Sequence, residues 1–161
     1  ASARPAVGRL ERIKGPGPTV LVDYAHTPDA LSRVLETLQP MTQGKLICIF
    51  GAGGDRDRGK RPLMGAAASS LADLSVITSD NPRSEPPGQI IEEIIQGVSG
   101  PCHVEENRAD AIRWAIRNAD DDDAILIAGK GHERYQIIGE EHIPFDDRAV
   151  AKAILNGQAQ G

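Results

Sequence analysis

The chain has 161 residues, 40% hydrophobic, 25% charged and 3% aromatic; that is enough for one domain with a buried core and excludes a disordered tail or a disulfide-stapled miniprotein. Its formal net charge of -5 argues against a nucleic-acid-binding domain, which carries a basic excess to neutralise phosphates. Two cysteines, Cys48 and Cys102, make no disulfide framework, and no apolar run approaches the ~20 residues of a membrane span, so the expectation is a cytoplasmic protein with neither membrane nor nucleic acid as partner.

In chain order, residues 1–7 read as an interdomain linker and residues 8–161 as one domain. Apolar runs of strand length lie at 19–22, 46–50, 74–78, weakly around Val104, and at 124–128. Helix-period stripes separate them: Leu31, Val34, Leu35 and Leu38; then Leu63, Met64, Ala67 and Leu71; then Ile90, Ile91, Ile94, Ile95 and Val98; then Ile112, Ala115, Ile116 and Ala119. These stripes predict core faces. Residues 135–143 read as a hairpin turning at Gly139, and Asp146 opens a last helix that runs through Leu155. Strands that are apolar throughout and alternate with helices predict an α/β fold, a mostly parallel sheet covered on both sides, with ligands at the carboxyl ends of its strands.

Four loops occupy those ends. In the first, Asp23 stands where a carboxylate can hold a ribose hydroxyl pair, while Thr27 and Pro28 suit a helix N-cap and first helical residue. The second, from Gly51 to Arg61, approaches a phosphate-binding P-loop but carries Arg61 where a hydroxyl belongs and two aspartates inside the cradle, so it is rejected as one. Its glycines let backbone come near a ligand, and Arg56 and Arg58 suit a carboxylate or phosphate. The third is a stiff turn, Asp80-Asn81-Pro82-Arg83, presenting a carboxamide and a guanidinium suited to an amino-acid carboxylate. The fourth, Gly129-Lys130-Gly131-His132-Glu133, offers Glu133 as an acceptor for a substrate ammonium. Nothing has the spacing of a metal site or of a nucleophile elbow, and the Asp120 to Asp123 run reads as a solvated loop or helix end.

Together, VDYAHTPDAL, FGAGGDRDRGKRPLMG, SDNPRSE and AGKGHERYQ resemble the C-terminal domain of the Mur ligases, and more narrowly the branch that adds the third residue of the peptidoglycan stem peptide. The resemblance implies a Rossmann-like domain that carries an incoming amino acid to a reaction centre formed with other domains. It implies ATP-dependent amide formation, in which the D-glutamate carboxylate of UDP-MurNAc-L-Ala-D-Glu is phosphorylated and the acyl phosphate is attacked by an amine of meso-diaminopimelate. Arg56, Asn81, Arg83, Gly129 and Glu133 match the diaminopimelate-binding positions, with Asp80 and Pro82 in the same DNPR element. Arg9 and Asp23 match positions that approach the phosphates and ribose of ATP, and His26 shares that loop. The resemblance further implies that ATP and magnesium are bound mainly by a central ATPase domain, and the UDP-sugar by an N-terminal domain, neither with a counterpart in these residues. It therefore implies a monomer with no catalytic residue in this domain and no turnover by these residues alone. A stand-alone nucleotide or amino-acid module and a lysine-adding relative are the alternatives; Arg83 argues against the second.

Overall fold

The structure, a computed structural model, describes residues 10–157. Its strands are β1 (Glu11–Ile13), β2 (Thr19–Asp23), β3 (Leu46–Phe50), β4 (Leu74–Ile77), β5 (Cys102–Val104), β6 (Ala124–Ala128), β7 (Tyr135–Ile138) and β8 (Glu141–Pro144). Its helices are α1 (Pro28–Leu38), α2 (Lys60–Leu71), α3 (Pro87–Ile95), α4 (Arg108–Asn118) and α5 (Asp147–Leu155). Six strands form one sheet in the order β1-β2-β6-β3-β4-β5, with β1 antiparallel to β2 and every other neighbour parallel. β7 and β8 form the separate antiparallel hairpin that the turn at Gly139 predicts. Among the described residues, no helix is long and apolar enough to cross a membrane.

The central strands β3 and β6 are buried along their whole length, as a parallel sheet covered on both faces requires. Side chains alternate between the faces. Cys48, Phe50, Leu126 and Ala128 meet Leu31 and Leu35 of α1, Met64 and Ala68 of α2, and Ile90, Ile91 and Ile94 of α3. On the other face Ile47, Ile49, Ile125 and Ile127 meet Ile112, Ala115 and Ile116 of α4, and Ala151 and Ile154 of α5. Caps fix where the helices start. Thr27 Oγ1 accepts from the Ala30 amide (3.1 Å), with Pro28 opening α1; Asn107 caps α4 through the Asp110 amide (2.9 Å) and Asp146 caps α5 through the Arg148 amide (2.9 Å).

Local expectations are corrected in α2 and before β6, and β1 has no counterpart among the apolar runs. Leu63 is not a core residue: it is 58% exposed, while Arg61 two positions earlier is fully buried. The inner face of α2 is Arg61, Met64, Gly65 and Ala68, because the ion pairs of Arg61 turn it inward and Gly65 lets α3 approach; a Cβ at Gly65 would strike the Ile94 carbonyl. Asp123 is not part of a solvated run: it is buried, and its carboxylate accepts from the amides of Lys45 (2.7 Å) and Asp120 (2.8 Å), fastening the loop before β6 to the start of β3. β1 escapes the sequence reading because three residues carry no periodicity; its register with β2 is what defines it.

Candidate functional site

The carboxyl ends of β3, β4 and β6 open into a cleft of about 310 Å³. Arg56, Asp57 and Lys60 come from the segment after β3; Asp80, Asn81 and Arg83 come from the turn after β4; Gly129 and Glu133 come from the loop after β6; and Tyr24 and His26 come from the loop after β2. The structure thus brings Arg56, Asp80, Asn81, Arg83, Gly129 and Glu133 to one cavity, with His26 at its border. Pro82 is buried and does not line this cleft; its carbonyl accepts from the Glu85 amide (3.1 Å). Arg9 lies outside the described residues.

Close backbone packing shapes the cleft. A Cβ on Gly54 would collide with the Pro82 carbonyl, so glycine there lets the two loops touch, and the Gly54 amide donates to the Asn81 carbonyl (2.7 Å). Arg83 has φ 54, a left-handed conformation that costs a non-glycine residue of order 1–3 kcal/mol and needs support from its surroundings. The β7–β8 hairpin supplies it: the Arg83 amide donates to the Ile137 carbonyl (2.9 Å), and the Arg83 carbonyl accepts from the Gly139 amide (2.7 Å). The guanidinium donates through Nη1 to the Gly54 carbonyl (3.0 Å). Arg56 is exposed and donates to the Asp55 carbonyl (3.0 Å).

Behind these groups stand two buried cations. Lys130 is fully buried; its Nζ donates to Asn81 Oδ1 (2.8 Å), the Tyr135 carbonyl (2.9 Å) and Glu133 Oε1 (3.3 Å), and lies 3.2 Å from Asp80 Oδ1. Arg108, at the start of α4, clasps Asp147 with Nε (2.7 Å) and Nη2 (2.8 Å) and donates to the carbonyls of Ser79 (2.9 Å) and Ala128 (3.1 Å). One guanidinium therefore ties the ends of β4 and β6 to the start of α5. Lys130 sits between the two glycines of the fourth loop, so its position carries a signal. The pairing of Arg108 with Asp147 spans 39 residues and carries none.

Arg61 explains why the second loop is not a phosphate cradle. Its guanidinium points into the fold, donating to both carboxylate oxygens of Glu85 (2.6 and 3.1 Å), to Glu93 Oε1 (3.0 Å) and to the Gly53 carbonyl (3.0 Å). This fork holds the Glu85 carboxyl well below its ordinary value, at about 2. Arg58 pairs with Glu93. Asp55 takes its own left-handed backbone (φ 54) and accepts from Ser84 Oγ (2.6 Å), which lowers its pKa.

Asp23, at the end of β2, is buried; Oδ1 accepts from the Ala25 amide (2.8 Å) and Oδ2 is buried without a partner among the described residues. Burial raises its pKa, and the orphan oxygen fits a hydroxyl donor. His26 is exposed, with Nδ1 3.1 Å from the Tyr24 carbonyl. No group of three or more His, Cys, Asp or Glu side chains among the described residues is arranged to hold a metal ion.

With this geometry in hand, comparison with known proteins is decisive on descent. The model of the family described as Mur ligase, glutamate ligase domain, matches residues 8–131. The chain belongs to that family. It is 56% identical over 152 residues to the UDP-N-acetylmuramoyl-L-alanyl-D-glutamate--2,6-diaminopimelate ligase of Synechococcus elongatus, covering 92% of this chain and 31% of that protein. To the protein of the same name from Synechococcus sp. strain WH7803 it is 54% identical over 162 residues, covering 96% of this chain and 32% of the other. A solved structure of a ligase of that name superposes with a TM-score of 0.90 at 42% identity, covering 99% of this chain and 33% of that one. The chain therefore spans about a third of the length of these relatives, and its mostly parallel α/β fold is that of a Mur ligase C-terminal domain.

Proposed function

We propose that these residues form the amino-acid-recruiting C-terminal domain of an ATP-dependent ligase that joins meso-diaminopimelate to UDP-MurNAc-L-Ala-D-Glu in cytoplasmic peptidoglycan precursor synthesis. The observation that carries the reading is one cleft lined both by cations and a carboxamide, Arg56, Arg83 and Asn81, and by carboxylates, Asp80 and Glu133. Meso-diaminopimelate differs from lysine by a second carboxylate on the distal carbon. A site selecting it needs a cation for that carboxylate and an anion for the distal ammonium, and Arg83 and Glu133 are that pair.

The work of this domain is binding and orientation. Holding the distal zwitterion in the cleft leaves the other end of diaminopimelate to present its amine to the glutamyl acyl phosphate, which forms beyond these residues. Attack by that amine makes the amide bond and expels phosphate; the amine's proton leaves with the departing groups or solvent. Asp23 fits the ribose hydroxyls of ATP through its unpartnered oxygen, and His26 and Arg9 belong to the same proposal. Magnesium finds no ligand cluster among the described residues. The working unit is expected to be a monomer.

The test is Arg83→Ala in the full-length protein. The proposal expects kcat/KM for meso-diaminopimelate to fall about 100- to 1000-fold, because a substrate carboxylate loses its charged partner, with KM for ATP within about twofold of the parent. Unchanged amino-acid kinetics would remove the assignment.

A further inference from the structure

Asn81 lines the cleft with a side chain that can present either of two chemistries. A carboxamide turned one way offers a donor to a ligand; turned the other way it offers an acceptor. The surroundings decide this. Asn81 Oδ1 accepts from Lys130 Nζ (2.8 Å) and from the Ile137 amide (3.0 Å). An ammonium and a backbone amide are both donors, so the atom between them is the oxygen. Nδ2 makes no hydrogen bond among the described residues and is not sealed off from the cleft that Asn81 lines.

Lys130 cannot reach a ligand itself. Its side chain has no exposure, and its three N–H bonds go to Asn81 Oδ1, the Tyr135 carbonyl and Glu133 Oε1 (3.3 Å), with the Asp80 carboxylate a further charge partner at 3.2 Å. One ammonium faces two carboxylates, which leaves this wall with one uncompensated negative charge. That charge is the complement of a substrate ammonium, whereas the outward Nδ2 of Asn81 is a donor for a substrate carboxylate. The hairpin completes the brace, since Gln136 Nε2 donates to the Asp80 carbonyl (2.7 Å).

We propose that Lys130 is a positioning residue that sets the polarity of the cleft: together with the Ile137 amide it saturates Asn81 Oδ1, turns the Asn81 NH2 toward the substrate carboxylate, and holds Glu133 as the acceptor for the substrate ammonium. The ligand class is a carbon bearing both a carboxylate and an ammonium. This inference rests on the reading of the cleft as the amino-acid site, and its test separates the two.

Asn81→Asp is the discriminating variant. Lys130 and the Ile137 amide still find an oxygen, so the fold is kept, but the outward donor becomes a second carboxylate oxygen that repels the ligand. In the full-length protein the expected result is a melting temperature at or above that of Asn81→Ala, KM for meso-diaminopimelate raised about 100-fold, and KM for ATP unchanged within about twofold. Lys130→Met should raise the same KM, and Lys130→Met/Asn81→Ala should lose no more than the worse single variant, because Lys130 acts through Asn81. If Lys130→Met does not fold, the Asn81→Asp result still decides. An unchanged diaminopimelate KM in Asn81→Asp alongside a raised one in Arg83→Ala overturns the polarity assignment and keeps the cleft as the amino-acid site. Asn81→Asp melting well below Asn81→Ala, or additive losses in the double variant, also overturns it. No response in either Asn81→Asp or Arg83→Ala removes the amino-acid site and this inference with it.

Discussion

The two walls of the cleft are built in opposite ways. The wall after β3 is an exposed, glycine-rich loop in which Arg56 and Asp57 stand in solvent, Arg58 is exposed but pairs with Glu93, and the buried Arg61 is anchored by Glu85 and Glu93. The wall formed by the ends of β4 and β6 is held from behind by two fully buried cations, Lys130 and Arg108, each engaged with carboxylates and carbonyls from several elements. A buried, multiply bonded charge fixes geometry but is costly if its partner is removed, whereas an exposed one contributes little stability and keeps its freedom to meet a ligand. The orientation of Asn81 and Glu133 is therefore set by the second wall, whereas on the first the Arg56 side chain stays in solvent.

The strongest way to break this contrast is Arg108→Met. It leaves the Asp147 carboxylate buried without its partner and frees the Ser79 and Ala128 carbonyls, so unfolding in urea should show a loss of about 3–5 kcal/mol. Adding Asp147→Leu should recover much of that loss, since replacing both charges by apolar groups avoids an uncompensated ion. A loss below about 1 kcal/mol for the single variant would show that the second wall is no more constrained than the first.

A smaller effect sharpens the picture of the first wall. The Glu85 carboxyl is depressed from 4.5 to about 2 by Arg61, so its contribution is complete above pH 4.5 and is lost as pH falls toward 2. Because Glu85 is near solvent, screening reduces that contribution to about 1 kcal/mol. The stability difference between the parent and Glu85→Gln should therefore shrink between pH 4.5 and 2; a difference that stays constant through that window would remove Glu85 as the titrating anchor.

The sequence makes the same division. Groups at strand ends are legible because loop composition and the parallel-sheet rule point to them: Arg56, Asn81, Arg83 and Glu133 are all found at the cleft. Apart from β1, the strands and helices follow from apolar periodicity, and Thr27 and Asp146 from capping chemistry. What escapes is set by pairing between distant elements. Arg61 looks like a solvent-facing member of a basic cluster until Glu85 and Glu93 are placed beside it. Leu63 looks like core for the same reason in reverse. Lys130 sits in a loop whose glycines draw notice, but its burial depends on the Asn81 turn and the hairpin together. Asp23, read from its strand end, is found buried with an unpartnered oxygen, whereas Pro82 is buried and does not line the cleft.

The central claim is that this cleft selects a distal carbon carrying both charges. The most direct measurement is the ratio of kcat/KM for meso-diaminopimelate to that for lysine in the full-length protein. Lysine would leave Arg83 and the Asn81 NH2 without a carboxylate, so the ratio should be about 1000 or more in favour of meso-diaminopimelate. A ratio near one, or a preference for lysine, would contradict the account.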